Sequence, residues 1–160
     1  MKGILANSRR DIHARFVARF RTDDAALPVT AQHLDAIETK LRTQLSLSYR
    51  SFMTTYGRIH TPQIVKEISD RELDHPDVQD FLGPQEAIDG TTGYWSAGMP
   101  EDIIGIASDC MGNMFGFARA LHRLDDAPVF FFDHDFVTVH DVAPSFDALL
   151  SWYLDNLNHS

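Results

Sequence analysis

Two imidazoles and three carboxylates fall within nine residues of this chain, in Asp133-His134-Asp135 and His140-Asp141. Side chains of this kind bind Zn, Mn or Fe. A catalytic metal needs about three of them, with one coordination position left open. In an extended strand, positions 133 and 135 share a face and 134 opposes them. The triplet therefore converges only if it is a turn. In a turn, the same short polar residues already serve the chain by accepting from its backbone N–H groups. The turn is the preferred reading. A small metal-dependent hydrolase using His134 and His140 stands as the rival from another class.

Other candidates are thinner. Glu101-Asp102 and Asp109 could divide acid and base work if their environments pushed their pKa values apart. Nothing in the sequence supplies such environments, and solvated acids at strand ends are the simpler reading. Cys110 is the only cysteine, so no intrachain disulfide forms, and a reducing intracellular setting follows. No Cys–His enzyme signature surrounds it. Ser108 and Ser145 lack a Gly-x-Ser-x-Gly elbow. The run Gly112-Asn113-Met114-Phe115-Gly116 lacks the third glycine and following helix of a dinucleotide fingerprint. No phosphate loop is present, and no cofactor is expected.

The elements that must position these residues can be read from spacing. Ile103–Ala107, Met114–Ala118 and Val129–Phe132 are short apolar runs, and Phe136–His140 alternates with period two. Gly112-Asn113 suits positive φ between the first two runs. Ser145 is a helix N-cap with Asp147 in the first turn. Phe146, Leu149, Leu150, Tyr153, Leu154 and Leu157 then recur at helical spacing. The result is a four-strand meander closed by a helix.

Upstream, Ser8–Arg21 reads as a helix with Ile12, Phe16 and Phe20 on one face, packed on the domain with its arginines in water. Its basic face also suits an anionic membrane surface. Thr22–Val29, with Pro28, is a connection. Thr30 caps a helix carrying Leu34, Ile37, Leu41 and Leu45. Ser46 or Ser48 starts another, with Tyr49, Phe52, Met53 and Tyr56, and Gly57 ends it. Gln63–Ile68, rich in β-branched residues, reads as a strand. A weak helix runs from about Gln85 to Ala97 and stops at Gly98-Met99-Pro100. Gly90 and Gly93 each cost it about 1 kcal/mol relative to Ala.

The ordered set Ile106–Asn113, Phe115–Phe117, Pro128–Phe132, Asp133–Asp135 and Ser145-Phe146 resembles the SUKH superfamily. That superfamily comprises fungal cell-wall assembly (glucan synthesis) regulators and many bacterial immunity proteins. The chain has Leu47-Ser48 and Tyr56-Gly57 where the family pattern has Leu-Pro and Asn-Gly. The resemblance implies an α+β fold, a mostly antiparallel sheet with surrounding helices and a C-terminal helix packed on it. It also implies a protein that neutralises a contact-delivered toxin, often a nuclease, or else a regulator of the cell-wall assembly type. The expected organisation is a helical extension over 1–29 and a core over 30–160.

Charge supports a binding role independently. The 160 residues carry a net charge of −9. Residues 1–21 hold six basic side chains and one acid, a balance of +5, which leaves −14 for the rest. From Glu72 to Ala118, and again after Arg123, there is no Lys or Arg. Such a surface repels nucleic-acid phosphates and suits a basic protein, here a basic toxin domain. The expected contact residues are Asp77, Asp80, Glu86, Asp109, Asp133 and Asp135. Trp95 and Phe131 are either apolar anchors in that acidic rim or part of a core covered on both sheet faces. No run of about eighteen apolar residues marks a membrane span. The start, with only Ile4-Leu5-Ala6 apolar, is too short for a secretory signal. The expected compartment is cytoplasmic, and no enzymatic activity is expected.

The turn reading has a direct check. Protein purified without a histidine tag should carry no stoichiometric transition metal by elemental analysis. Metal held by His134 and His140 would overturn both the turn and the non-enzyme reading.

Overall fold

The computed structural model describes residues 2–22 and 28–157. In chain order the helices α1 (Lys2–Phe20), α2 (Ala31–Leu41), α3 (Leu47–Tyr56) and α4 (Gln63–Asp70) precede a short strand β1 (Asp80–Phe81). Helix α5 (Pro84–Ser96) follows, then β2 (Ile103–Ser108), β3 (Met114–Ala118), β4 (Val129–Asp133), β5 (Thr138–Ala143) and helix α6 (Phe146–Asn156). The expected connection over Thr22–Val29 lies partly outside the described residues.

The strands form one antiparallel sheet in the order β1-β2-β3-β4-β5, so the α+β meander is as expected, with β1 added at one edge. Gly105 opposes Gly116 in the β2–β3 pair. A Cβ on Gly105 would lie 2.7 Å from Met114 Sδ, and one on Gly116 only 2.6 Å from the Ile104 carbonyl oxygen. The missing side chains let the strands and α5 close up. Gly105 donates its N–H to Thr91 Oγ1 on α5 at 2.9 Å, next to a bulge at Ile106.

Both faces of the sheet are covered. Phe132 meets Tyr94 of α5 at 6.1 Å between ring centroids, on one face. Phe117 meets Phe146 of α6 on the other, also at 6.1 Å, and Phe131 packs edge-on to Phe115 at 5.2 Å on that face. Three consecutive phenylalanines are thereby accommodated, with Phe132 buried and Phe130 and Phe131 half-buried. Beneath α6, Phe52 of α3 and Phe81 of β1 pack with Phe146 and with each other, and Phe16 of α1 packs on both, at 5.1–6.4 Å.

Two sequence expectations fail locally. Gln63–Ile68 is helical, because Ile64 and Ile68, four residues apart, are both buried on one face. Packing overrides the strand preference of β-branched residues. The last strand begins at Thr138 rather than Phe136. Val137 has φ 53°, a left-handed conformation that is strained for a β-branched residue, and it closes the turn instead. Val137 sits where a side chain at Gly98 would be, since a Cβ there would lie 2.7 Å from its Cγ1. Gly98, at φ 109°, thus ends α5 and seats the β4–β5 turn.

The caps match their sequence signals. Thr30 accepts from His33 N at 3.2 Å, and His33 Nδ1 accepts from Thr30 N at 3.1 Å. Ser46, not Ser48, caps α3. Ser145 accepts from Ala148 N at 3.0 Å, while Asp126 accepts from Phe146 N and Asp147 N at 2.8 and 3.1 Å. Asp147 then faces back towards α1. It accepts from Arg9 Nε at 3.2 Å and from the Ser48 hydroxyl, and its Oδ1 lies 2.8 Å from His13 Nε2. His13 is buried on the same helical face as Phe16 and Phe20, so α1 docks through this polar knot as well as through its apolar stripe.

Burial pushes the Asp147 carboxyl up, but the bonds from His13, Ser48 and Arg9 outweigh it and hold it below its ordinary value of 3.8. A lowered carboxylate contributes stability that is present above the unfolded value and lost as pH falls through the folded one. Asp147→Asn should therefore cost about 1–3 kcal/mol near neutral pH in urea unfolding. The gap from wild type should close as pH drops below about 4. A gap that is constant with pH would remove the charge from this account.

Candidate partner-binding surface

The β2–β3 loop is built around one carboxylate. Asp109 Oδ1 accepts from Met111 N at 2.9 Å and Asn113 N at 2.8 Å, and Oδ2 accepts from Asn113 Nδ2 at 2.9 Å. Gly112 supplies the positive φ, at 84°. This is what the Asp-x-x-Gly-Asn spacing does physically: one side chain pairs N–H groups that the hairpin leaves over. Neighbouring segments clamp the loop. Tyr94 of α5 donates its hydroxyl to the Gly112 carbonyl. Asp77 accepts from Cys110 N at 3.1 Å and lies 3.6 Å from its thiol.

The β4–β5 turn rests against the same loop. Asp133 Oδ1 accepts from Asp135 N and Phe136 N at 2.9 and 3.1 Å. His134 N donates to Asn113 Oδ1 at 3.0 Å, and its ring Nε2 lies 2.9 Å from the Met111 carbonyl oxygen. His140 is turned to Thr138 Oγ1, 3.0 Å away. Among the described residues, no three His, Cys, Asp or Glu side chains are placed to hold a metal ion.

The expected contact residues divide. Asp77, Asp80, Asp109, Asp133 and Asp135 gather at one end of the sheet, Asp80 opposite Ser108 on the edge strand and beside His60. Glu86 lies instead in the first turn of α5, 2.7 Å from Arg58 Nη1. Trp95 is half-buried and donates Nε1–H to the Ile103 carbonyl at 2.9 Å, at the opposite end of β2, with Arg119 over its ring. Phe131 lies on the α6 face, beside His140. Asp77 and Asp109 are each only 8% exposed, so the reading of these two as solvated surface acids is corrected. They serve buried backbone N–H groups, a role that sequence spacing alone did not reveal for Asp77. Burial, then Asp109, raises the Asp77 pKa.

The end of the sheet also exposes apolar side chains that sequence reasoning passed over. Met111 is 67% exposed, Phe136 79% and Val137 51%. The cue for Phe136 was a large aromatic beside an acidic turn, hidden because alternation placed it in a strand.

The catalytic alternatives find no geometry. Glu101 and Asp102 precede β2 and Asp109 follows it, so the six-residue strand holds them about 20 Å apart. The Cys110 thiol pKa is raised by burial and by Asp77 and Asp109, the reverse of what a thiolate nucleophile needs. Ser48, His13 and Asp147 are in mutual contact, but the hydroxyl and the carboxylate both meet the same ring nitrogen. A catalytic triad uses the two nitrogens separately, one towards each partner.

Asp109→Ala should lower stability by about 1–3 kcal/mol in urea unfolding, because it strands buried N–H groups. Asp135→Lys, at an exposed tip, should change stability by less than about 0.5 kcal/mol. Equal effects would mean that Asp109 does not organise the loop.

Comparison with known families matches the chain to a family model. The model described as SMI1 / KNR4 family (SUKH-1) covers residues 28–152. No curated protein matches the chain. None of the helices of the described residues is long and apolar enough to cross a membrane.

Proposed function

Since the chain belongs to the SMI1 / KNR4 family (SUKH-1), we propose that it is a non-enzymatic binding protein whose partner is a basic protein, specifically an immunity protein that covers a contact-delivered toxin in the cytoplasm. The observation that carries this reading is the loop end of the sheet. Asp80, Asp133 and Asp135 lie at the same end of the sheet as exposed Met111 and Phe136, in stretches of sequence with no Lys or Arg.

The division of labour follows from physics. Exposed acids steer a basic partner and select against others, and they act mainly on association rate. Residence time rests on a few side chains that become fully desolvated, and Phe136 with Met111 are the large apolar side chains available there. Asp77 and Asp109 contribute by holding the loop in shape. A toxin that cleaves nucleic acid has a basic cleft, to which such a surface is complementary.

The partner is to be sought in the gene beside this one or by capture, and binding measured by surface plasmon resonance. The double variant Asp80→Lys, Asp135→Lys should slow association by about tenfold at low salt, with the effect fading as salt rises. Phe136→Ala should instead speed dissociation by about tenfold. Binding indifferent to salt and to charge reversal would sink the electrostatic half of the proposal. A partner that binds without losing its toxicity would sink the immunity half.

A further inference from the structure

The two edges of the sheet are treated differently. The β1 edge is covered by residues 59–61, through Phe81 N to the Ile59 carbonyl at 3.0 Å, Thr61 N to the Gln79 carbonyl at 2.7 Å, and the His60–Asp80 bridge. The β5 edge is open. Its sole strand neighbour is β4, and among the described residues no other backbone group bonds to Thr138–Ala143. An open edge is ordinarily blunted by Lys, Pro or a bulge. This strand reads Thr-Val-His-Asp-Val-Ala, without Lys or Pro, and its one irregularity lies near its end. Residues 138–141 keep a regular ladder against 130–133.

A cleft flanks this edge on each face. On the α6 side, Asp74, His75, Pro76, Phe131 and His140 line a space of about 570 Å³, with His75 stacked 3.6 Å from Trp152. On the α5 side, Pro128, Phe130, Ala143 and Pro144 line a more apolar space of about 490 Å³. Asp141 and Val142 border both. A strand added to β5 would send alternate side chains to opposite faces, and so into the two clefts in turn. Asp74 makes the first suited to cations, and no described Lys or Arg lines either cleft.

We propose that β5 receives an extended segment of another protein as a sixth strand, with basic side chains entering the Asp74 cleft and apolar ones the Phe130 cleft. The proposal deepens the reading of the chain as a binder of basic proteins and names the shape of the contact. Its test needs no toxin, so the two fail separately.

The probe is a capped peptide of alternating Arg and Val, about six residues long. It should bind at below about 1 mM and slow hydrogen exchange of the amides in 138–142. Only amides on one side of a strand face the ladder. Of two N-methylated peptides, one methylated at every Arg and one at every Val, one should lose about tenfold or more in affinity and the other should keep it. Asp74→Lys, at an exposed position, should weaken the Arg/Val peptide by about tenfold and leave a Gln/Val peptide unaffected. Both N-methylated peptides binding as well as the parent would overturn strand addition, leaving diffuse charge attraction. Dimers of the protein in light scattering that the peptide dissociates would also overturn it, and would assign the edge to a second copy.

Discussion

A buried backbone N–H must find an acceptor, and this chain answers that demand with carboxylates. Asp77 serves Cys110, Asp109 serves Met111 and Asn113, Asp126 serves Ala127, Phe146 and Asp147, and Glu38 serves Leu45. Each sits where a loop or a helix start leaves donors over. The loops at the end of the sheet hold their shape because of these bonds, and the exposed acids and apolar tips are presented by them. A strongly acidic composition therefore overstates the charge offered to solvent, since several of the acids are structural members.

The same economy joins α1 to the rest. Helix α1 lies outside the stretch matched by the family, which begins at residue 28, yet it is fastened at the start of α6 by one carboxylate that gathers Arg9, His13 and Ser48. Phe16 then enters the shared aromatic core, and Arg19 reaches the Leu157 carbonyl and Glu67. Polar and apolar contacts alternate along one face. An added helix is in this way given a defined position rather than a merely greasy seat.

Much of this was legible in the sequence, and the failures share a cause. The meander, the Thr30 and Ser145 caps, the Gly57 and Gly98 stops and the apolar faces of four helices depend on residues close in the chain. Periodicity and capping report such contacts well. The strand read over Gln63–Ile68 failed because eight residues are too few for periodicity to outvote β-branching. Phe136 was misplaced because alternation does not show where a turn ends. The roles of Asp77 and His13 were invisible, since their partners stand 33 and 134 residues away. The site was legible as chemistry, acidic and aromatic, but not as geometry: Trp95 and Glu86 belong to other parts of the surface.

The pairing of α1 with α6 also has a mechanical side. Arg9 and His13 meet Asp147, Phe16 meets Tyr153 and Arg19 meets Leu157, so the two helices run in the same direction. The beginning of α1 and the end of α6 accordingly lie at opposite ends of the pair. Tension applied between those two points slides one helix along the other. It loads the salt bridges, the buried imidazole and the ring contacts together, as a lap joint is loaded, instead of peeling them apart one after another.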